Sequence, residues 1–426
     1  MDSSWQIPMQ TSTRVTWLAR ILILTASPSL FATEIPEVAP GQVGLSAEQL
    51  EKIGPTVTGL IDANRLVGGS VIVARHGKIA YFQTFGQQDR EAQTPMTRDT
   101  IFRIYSMSKA ITSLATLMLV EQGQISLDDV ISDHLPEFAD VKIWTPDGLV
   151  RPQRLPTIQD MLCHASGLVD GGTGNSPVHK LYQAAKPYES ASLAEMSQRI
   201  SKLPLLFEPG TDWTYSFSMD MLGRIIEIKT GVSFDTFLEQ QVFLPLDMKD
   251  TGFVVPRAKA NRFAAVYNSD QQGQLTLRAG PEEARFRNQP NIPSGGGGLV
   301  STQRDYLRFL QLVANGGELY GTRLLKPETV ALMTTNQLAA GAMPVSFGAQ
   351  VRTAVGHGLG FAVCTRKNTW DPAMQKGEYG WGGAASTHYW CSPEDDLIVI
   401  TMEQTMPHTF LLEKALKDVI YKAVQD

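Results

Sequence analysis

The sequence predicts an α/β (α+β) protein: one antiparallel β-sheet flanked by helices, plus a large helical domain. Three observations predict it. In GGSVIVARHGKIAYFQTFG, two β-branched runs flank His76-Gly77 and read as a hairpin. Between about 125 and 335, loops alternate with amphipathic helices. From Gly358 the hydrophobic period changes, and GLGFAVCT, YGWGGAASTHYWC and DLIVITMEQ read as three sequential strands. The two chain ends thus supply one sheet, and the middle supplies helices.

The elements follow in order. Arg14 and Arg20 precede ILILTASPSLFA, a short apolar run ending at Ala32. Residues 1–32 read as a signal peptide, too short an apolar run to span a membrane. A periplasmic or secreted protein is expected, with a cytoplasmic one as the alternative. LSAEQLEKIGPTVTGLIDAN has helical spacing, with Ser46 as its N-cap. After the hairpin, FRIYSMSKAITSLATLMLVEQGQ begins a helix that Gly123 ends. TIQDMLCHA, SLAEMSQRISKL, SMDMLGRIIEIKTG and STQRDYLRFLQLVANGG are the clearest helices of the middle. Pro, Gly and Asn cluster between Phe286 and Gly298 and mark a long loop, expected to line a cleft. The last helix is FLLEKALKDVIYKAV. Residues 45–105 and 340–426 are assigned to the sheet domain and 106–339 to the helical one, with the active site in the cleft between them.

Bulk properties exclude several classes. The 426 residues exceed what one small core needs, and 19% charged with 43% hydrophobic residues is ordinary for a globular chain. A net charge of −6 offers no basic patch for nucleic acid. Cys163, Cys364 and Cys391 are too widely spaced for a zinc knuckle or a CxxC pair, and buried free thiols are expected. No GxSxG surrounds a serine, and the histidines form no metal-ligand spacing. His164 is read as structural, holding a loop. No cofactor or metal is expected.

The stretch SMSKAITSLATLMLV carries the chemistry. Positions i and i+3 share a helix face, so Ser106 lies beside Lys109 while Ser108 points elsewhere. Thr112 and Ser113 share that face but sit one turn deeper. Ser106 alone is at the helix N-terminus, where free N–H groups favour an oxyanion. The helix is apolar nearly all round, hence buried, and a lysine in its first turn can relay a proton. A lysine that snorkels to the surface is the alternative, and SxxK alone leaves both open.

A serine–lysine pair of this kind resembles the serine β-lactamase and penicillin-binding protein superfamily, class C-like. In FEPGTDWTYSFSMDMLGRIIE, Tyr215-Ser216-Phe217 is similar to the YxN or YSx motif of that branch. A literal KTG at Lys229 to Gly231 ends a helix, so Gly231 is read as a C-cap and not as the third motif. Trp381-Gly382-Gly383 resembles the WGG of family VIII carboxylesterases instead. Two strand glycines mark close approach of another backbone or a ligand. FRIYSMSK, TIQDMLCHASGL, FEPGTDWTYS, GGGLVSTQRDYLRFLQLVANGGELYG and GLGFAV resemble family segments in the family's order, from about Leu45 to the C-terminus.

The resemblance implies a serine β-lactamase-like fold and a division of labour. Ser106 would be the nucleophile, with Tyr215, assisted by Lys109, as its base. The backbone N–H groups of Ser106 and Ala384 would form the oxyanion hole. Trp381, Gly382, Gly383 and Phe217 would contact substrate. Asp220 is read as a structural or capping residue. Two positions depart from the β-lactamase pattern. The lysine of KTG is Trp381, and the asparagine of YxN is Phe217. Both changes shift the site from an anionic, peptide-like substrate toward a neutral, apolar acyl ester. A cation from elsewhere would come from Arg366 or Lys367. The implied activity is serine carboxylesterase action on small, short-chain esters, with promiscuous β-lactam hydrolysis, cephalosporins especially. The alternatives are a class C-like β-lactamase, a D-Ala-D-Ala peptidase or transacylase, and a non-catalytic ligand-binding homologue. The expected partner is a small ester; oligomeric state is left open.

Overall fold

The two β-branched runs around His76-Gly77 form a long antiparallel hairpin, β1 (Gly68–Arg75) and β2 (Lys78–Asp89). The turn has φ of 52° at His76 and 69° at Gly77, the left-handed pair whose twist suits a two-residue hairpin. This and all that follows come from a computed structural model describing residues 34–287, 292–347, 350–367 and 369–425. The segment expected to be a signal peptide, residues 1–32, lies outside the described residues.

An edge strand, β3 (Thr94–Pro95), follows β2. The other strands come from the C-terminal part: β4 (Val355–His357), β5 (Ala362–Cys364), β6 (Tyr379–Gly382), β7 (His388–Ser392) and β8 (Leu397–Met402). The sheet order is β4-β5-β6-β7-β8-β1-β2-β3, with every pair antiparallel. β8 closes against β1 with Val73 opposite Val399, which joins the two ends of the chain in one sheet.

YGWGGAASTHYWC does not form one strand as its pattern suggested. It folds back as β6 and β7, because the Gly383 N–H donates to Thr387 O at 2.7 Å and Ser386 adopts φ of 63°. Leu45–Asn64 likewise divides, into Ala47–Glu51 and α1 (Ile53–Asp62). Ser46 caps the first piece by accepting from Gln49 N at 3.3 Å. Pro55 lacks the N–H that would continue the ladder, so the break falls at Lys52.

Strand parity sorts the core. Val71, Val73, Leu397 and Val399 face one side, with Ile53 and Val57 of α1 and Leu412, Leu416 and Ile420 of α5 (Leu411–Tyr421). Ile72, Ala74, Ile398 and Ile400 face the other. There they join the larger core of α2 (Ser108–Glu121), α3 (Ser218–Thr230) and α4 (Gln303–Ala314). Each fully buried aliphatic side chain contributes about 1.5–3 kcal/mol. Gln303 at the start of α4 donates to Ser70 O at 2.8 Å and Ile400 O at 3.0 Å, pinning that helix to the sheet. Gly123 follows α2 with φ of 69°, and the Gln124 N–H reaches back to Leu119 O at 3.0 Å. Cys163, Cys364 and Cys391 are buried, and among the described residues none is in a disulfide. Among the described residues no helix is long and apolar enough to cross a membrane.

Candidate active site

The chain enters α2 through a single 3₁₀ turn, Tyr105–Met107, with Ser106 at its centre. Tyr105 has φ of 41°, a left-handed conformation that a non-glycine residue adopts only when its surroundings enforce it. Those surroundings are visible. The Ile104 N–H donates to Leu299 O at 3.2 Å, the Tyr306 hydroxyl of α4 donates to Met107 O at 2.9 Å, and Ser108 Oγ donates to Tyr105 O at 2.6 Å. Ser108 is thus consumed in holding the turn. Thr112 bonds Gly295 O at 2.9 Å and Ser113 meets Met219 Sδ at 3.7 Å, so both are occupied deeper in the core.

Ser106 Oγ faces two partners, one near in sequence and one distant. The Tyr215 hydroxyl donates to it at 2.6 Å and Lys109 Nζ at 3.4 Å. Lys109 Nζ also lies 4.3 Å from the Tyr215 ring centroid and donates to Gly296 O. The glycine-rich loop therefore lines the site as expected. It is tied down by Asp220 of α3, whose Oδ1 accepts from Ser294 Oγ at 2.6 Å and Gly296 N at 3.3 Å. Burial pushes the Asp220 carboxyl above its usual range; the Ser294 bond and the Lys109 charge oppose this.

Tyr215 is fixed through its backbone and its ring. Asp170 N donates to Tyr215 O at 3.1 Å, and the neighbouring Thr214 N to His164 O at 3.0 Å. His164, whose Nδ1 pairs with Ser216 Oγ at 2.8 Å, places its ring 5.0 Å from that of Tyr215. The Trp381 ring also stacks on that of Tyr215, at 5.9 Å. Burial holds the His164 imidazole well below its usual pKa, so it stays neutral.

Trp381 and Gly382 end β6, and Gly383 begins the turn to β7. A Cβ on Gly383 would overlap the Ile104 carbonyl oxygen and Thr387 Oγ1. The close backbone approach read from the two glycines is therefore that of the Ser106 turn itself. Ser106, Lys109, Tyr215, Trp381, Gly382, Gly383 and Ala384 all line one cavity of ≈ 480 Å³. Among the described residues neither the Ser106 nor the Ala384 N–H is bonded. Phe217 stands apart. It is buried against Tyr188 and Tyr182, with ring centroids at 4.9 and 6.3 Å, and does not line that cavity. The helix start turns its side chain away from Tyr215 and into the core.

Chemically, this is a hydroxyl in contact with a phenol and an ammonium, beside two unbonded backbone N–H groups. A family model for Beta-lactamase matches residues 54–420. The chain belongs to the Beta-lactamase family. It is a serine hydrolase of that superfamily with the serine β-lactamase-like fold. Esterase EstB of Burkholderia gladioli is 34% identical over 382 residues, covering 84% of this chain and 91% of EstB. Protein Rv1367c of Mycobacterium tuberculosis is 33% identical over 361 residues, covering 81% of this chain and 88% of its own length. The solved structure of EstCE1, described as a hydrolase with promiscuous acyltransferase activity, superposes with a TM-score of 0.77. It is 27% identical and covers 88% of this chain and 98% of its own. The relationship to family VIII esterases follows.

The structure also shows what the motifs omitted. Arg366 and Lys367 are exposed and line no part of the cavity. Besides Lys109, the cavity wall carries Arg285 and Arg352, the latter with Trp370, Phe410, His388 and His408 nearby. No spacing or motif in the sequence connects these residues. The literal KTG at Lys229 to Gly231 is the end of α3, with Gly231 its C-cap at φ of 73°.

Proposed function

We propose that the chain is a serine carboxylesterase that hydrolyses small, short-chain acyl esters through an acyl-enzyme on Ser106. The 2.6 Å contact between the Tyr215 hydroxyl and Ser106 Oγ carries this reading. Tyr215 acts as the phenolate, its own proton released to solvent and its negative charge facing Lys109; Ser106 Oγ attacks the ester carbonyl as that phenolate takes the serine proton. The N–H groups of Ser106 and Ala384 hold the oxyanion. As the tetrahedral adduct collapses, the ester C–O bond breaks and Tyr215 returns the proton to the leaving alcohol. Water then attacks the acyl carbon, gives its proton to Tyr215, and the acid leaves as Ser106 recovers it. The aromatic wall of Trp381, Phe347 and Tyr215, with centroids 5.1 to 5.9 Å apart, suits an apolar acyl chain. Acyl transfer to an alcohol is the second reading, and the promiscuous acyltransferase activity of EstCE1 favours it.

The test is turnover of p-nitrophenyl butyrate by the wild type, Ser106→Ala and Tyr215→Phe. Ser106→Ala abolishes it, and Tyr215→Phe lowers kcat by roughly 10²–10⁴-fold. No turnover of any activated ester overturns the proposal. Greater kcat/KM on nitrocefin than on short esters makes the chain a β-lactamase first.

A further inference from the structure

The guanidinium of Arg352 sits among four aromatic rings. Its Cζ lies 4.6 Å from the Phe347 centroid, 4.8 Å from Trp370, 5.2 Å from Phe410 and 5.6 Å from Trp381. Rings attract a cation but accept hydrogen bonds poorly, and a guanidinium carries five N–H donors. Arg352 Nε is buried with no partner among the described residues. Among the described residues Nη2 reaches only Gln350 Oε1, at 3.5 Å. A half-buried guanidinium held by ring faces and one long hydrogen bond keeps donors to spare for a ligand.

The neighbouring charges do not supply the acceptor. Glu413 is the acid whose field acts on Arg352, but its Oε1 lies 3.4 Å from Lys417 Nζ and its Oε2 3.7 Å from His388 Nε2. Glu378 accepts from Lys417 at 2.6 Å and from the Tyr421 hydroxyl at 2.5 Å. His388 and His408 pair with each other through Nε2 at 2.9 Å, and burial holds both neutral. Lys414, exposed at the rim, is a second cation over Trp370 and Phe410, at 5.4 and 5.7 Å. Burial pushes the Arg352 guanidinium down only to about 10, so it is charged at neutral pH.

Arg352 shares the cavity with Ser106. Trp381 contacts both, its ring stacked on that of Tyr215 at 5.9 Å and 5.6 Å from the Arg352 Cζ. We propose that Arg352 is a carboxylate-binding residue, and that the preferred esters carry a free carboxylate at the end remote from the scissile bond. The planar fork of arginine fits a carboxylate with two parallel bonds. The cation lost with the KTG lysine is thus replaced from a different segment. This inference rests on the esterase reading above for its turnover assay, but not for its binding assay.

The first experiment compares mono-p-nitrophenyl succinate, glutarate and adipate with the same esters capped as primary amides. In the wild type the carboxylate form of the best-fitting length is favoured in kcat/KM by roughly tenfold or more. Arg352→Gln brings that ratio to about one, and Arg352→Lys leaves it between the two. A wild-type ratio near one, or a ratio unchanged by Arg352→Gln, overturns the proposal. Because the ratio is internal to each variant, a general loss of activity does not imitate the result. The second experiment needs no turnover. In the Ser106→Ala chain, adipate monoamide raises the Tm, adipamide does not, and the added Arg352→Gln removes the shift. Absence of any shift overturns the inference even if neutral esters are hydrolysed. Failure of all esters with the shift intact sinks the esterase reading alone.

Discussion

Gly383→Ala tests whether the oxyanion hole is set by the approach of two backbones. An alanine Cβ there would sit 3.1 Å from the Ile104 carbonyl carbon, where 3.4 Å begins ordinary contact, and closer still to the Ile104 oxygen. Restoring the oxygen contact needs roughly 1 Å of separation between the β6 end and the Ser106 turn. Thr387 Oγ1 can rotate away, but the Ile104 carbonyl cannot, since the Ile104 N–H is bonded to Leu299 O at 3.2 Å and Met107 N donates to Ile104 O at 3.0 Å. The strain costs about 1–3 kcal/mol of stability. Displacing the Ala384 N–H from the Ser106 N–H by ~1 Å lowers turnover by on the order of 10²-fold. The assay is kcat and KM on p-nitrophenyl butyrate, with Tm alongside. Gly59→Ala is the control, because nothing lies within 4 Å of a Cβ there and α1 gains a better helix former. A folded Gly383→Ala protein with kcat within about twofold of wild type would refute the reasoning, since a displaced oxyanion donor must cost far more than that.

Two further predictions concern residues away from the chemistry. Lys229→Met leaves kcat unchanged, while Gly231→Ala costs about 1 kcal/mol in urea unfolding because alanine resists the left-handed C-cap; a large loss of turnover in Lys229→Met would restore the literal KTG as a motif. Burial raises the Glu403 carboxyl from 4.5 to about 8. Between those values the unfolded chain has released this proton and the folded chain still holds it, so stability falls as pH rises through that window. Glu403→Gln does not titrate, and its advantage over wild type grows from pH ~5 to ~8, toward a limit on the order of 5 kcal/mol. Equal advantages at both pH values in urea unfolding would refute it.

Much of the local architecture was legible because it depends on near neighbours. The His76-Gly77 hairpin, the Gly231 C-cap and the buried helix of SMSK follow from turn chemistry and period alone. The same local logic ranked the hydroxyls of α2: Ser108, Thr112 and Ser113 all spend theirs on fixed partners, as their angles and depths required. It failed where a glycine had two meanings. YGWGGAASTHYWC reads as one extended run, yet Gly383 both opens a turn and receives the Ile104 carbonyl. It failed again at Phe217, whose motif position implied substrate contact while the helix start carries it into the core.

The sequence by itself determined which residues could do chemistry and the order of the segments that hold them. Spacing along a helix is a local property, so Ser106 and Lys109 were paired before any fold was known. Only the tertiary structure decided that the Tyr215 hydroxyl stands 2.6 Å from Ser106 Oγ, across 109 positions of chain. Only it replaced the expected neutral wall with Arg352 in a ring of aromatics. Phe347, Trp370, Trp381 and Phe410 are scattered in sequence and meet only because β4 to β7 and the start of α5 converge on one cavity. Pairing of this kind is decided by packing across the sheet, and packing leaves no periodic trace in the chain.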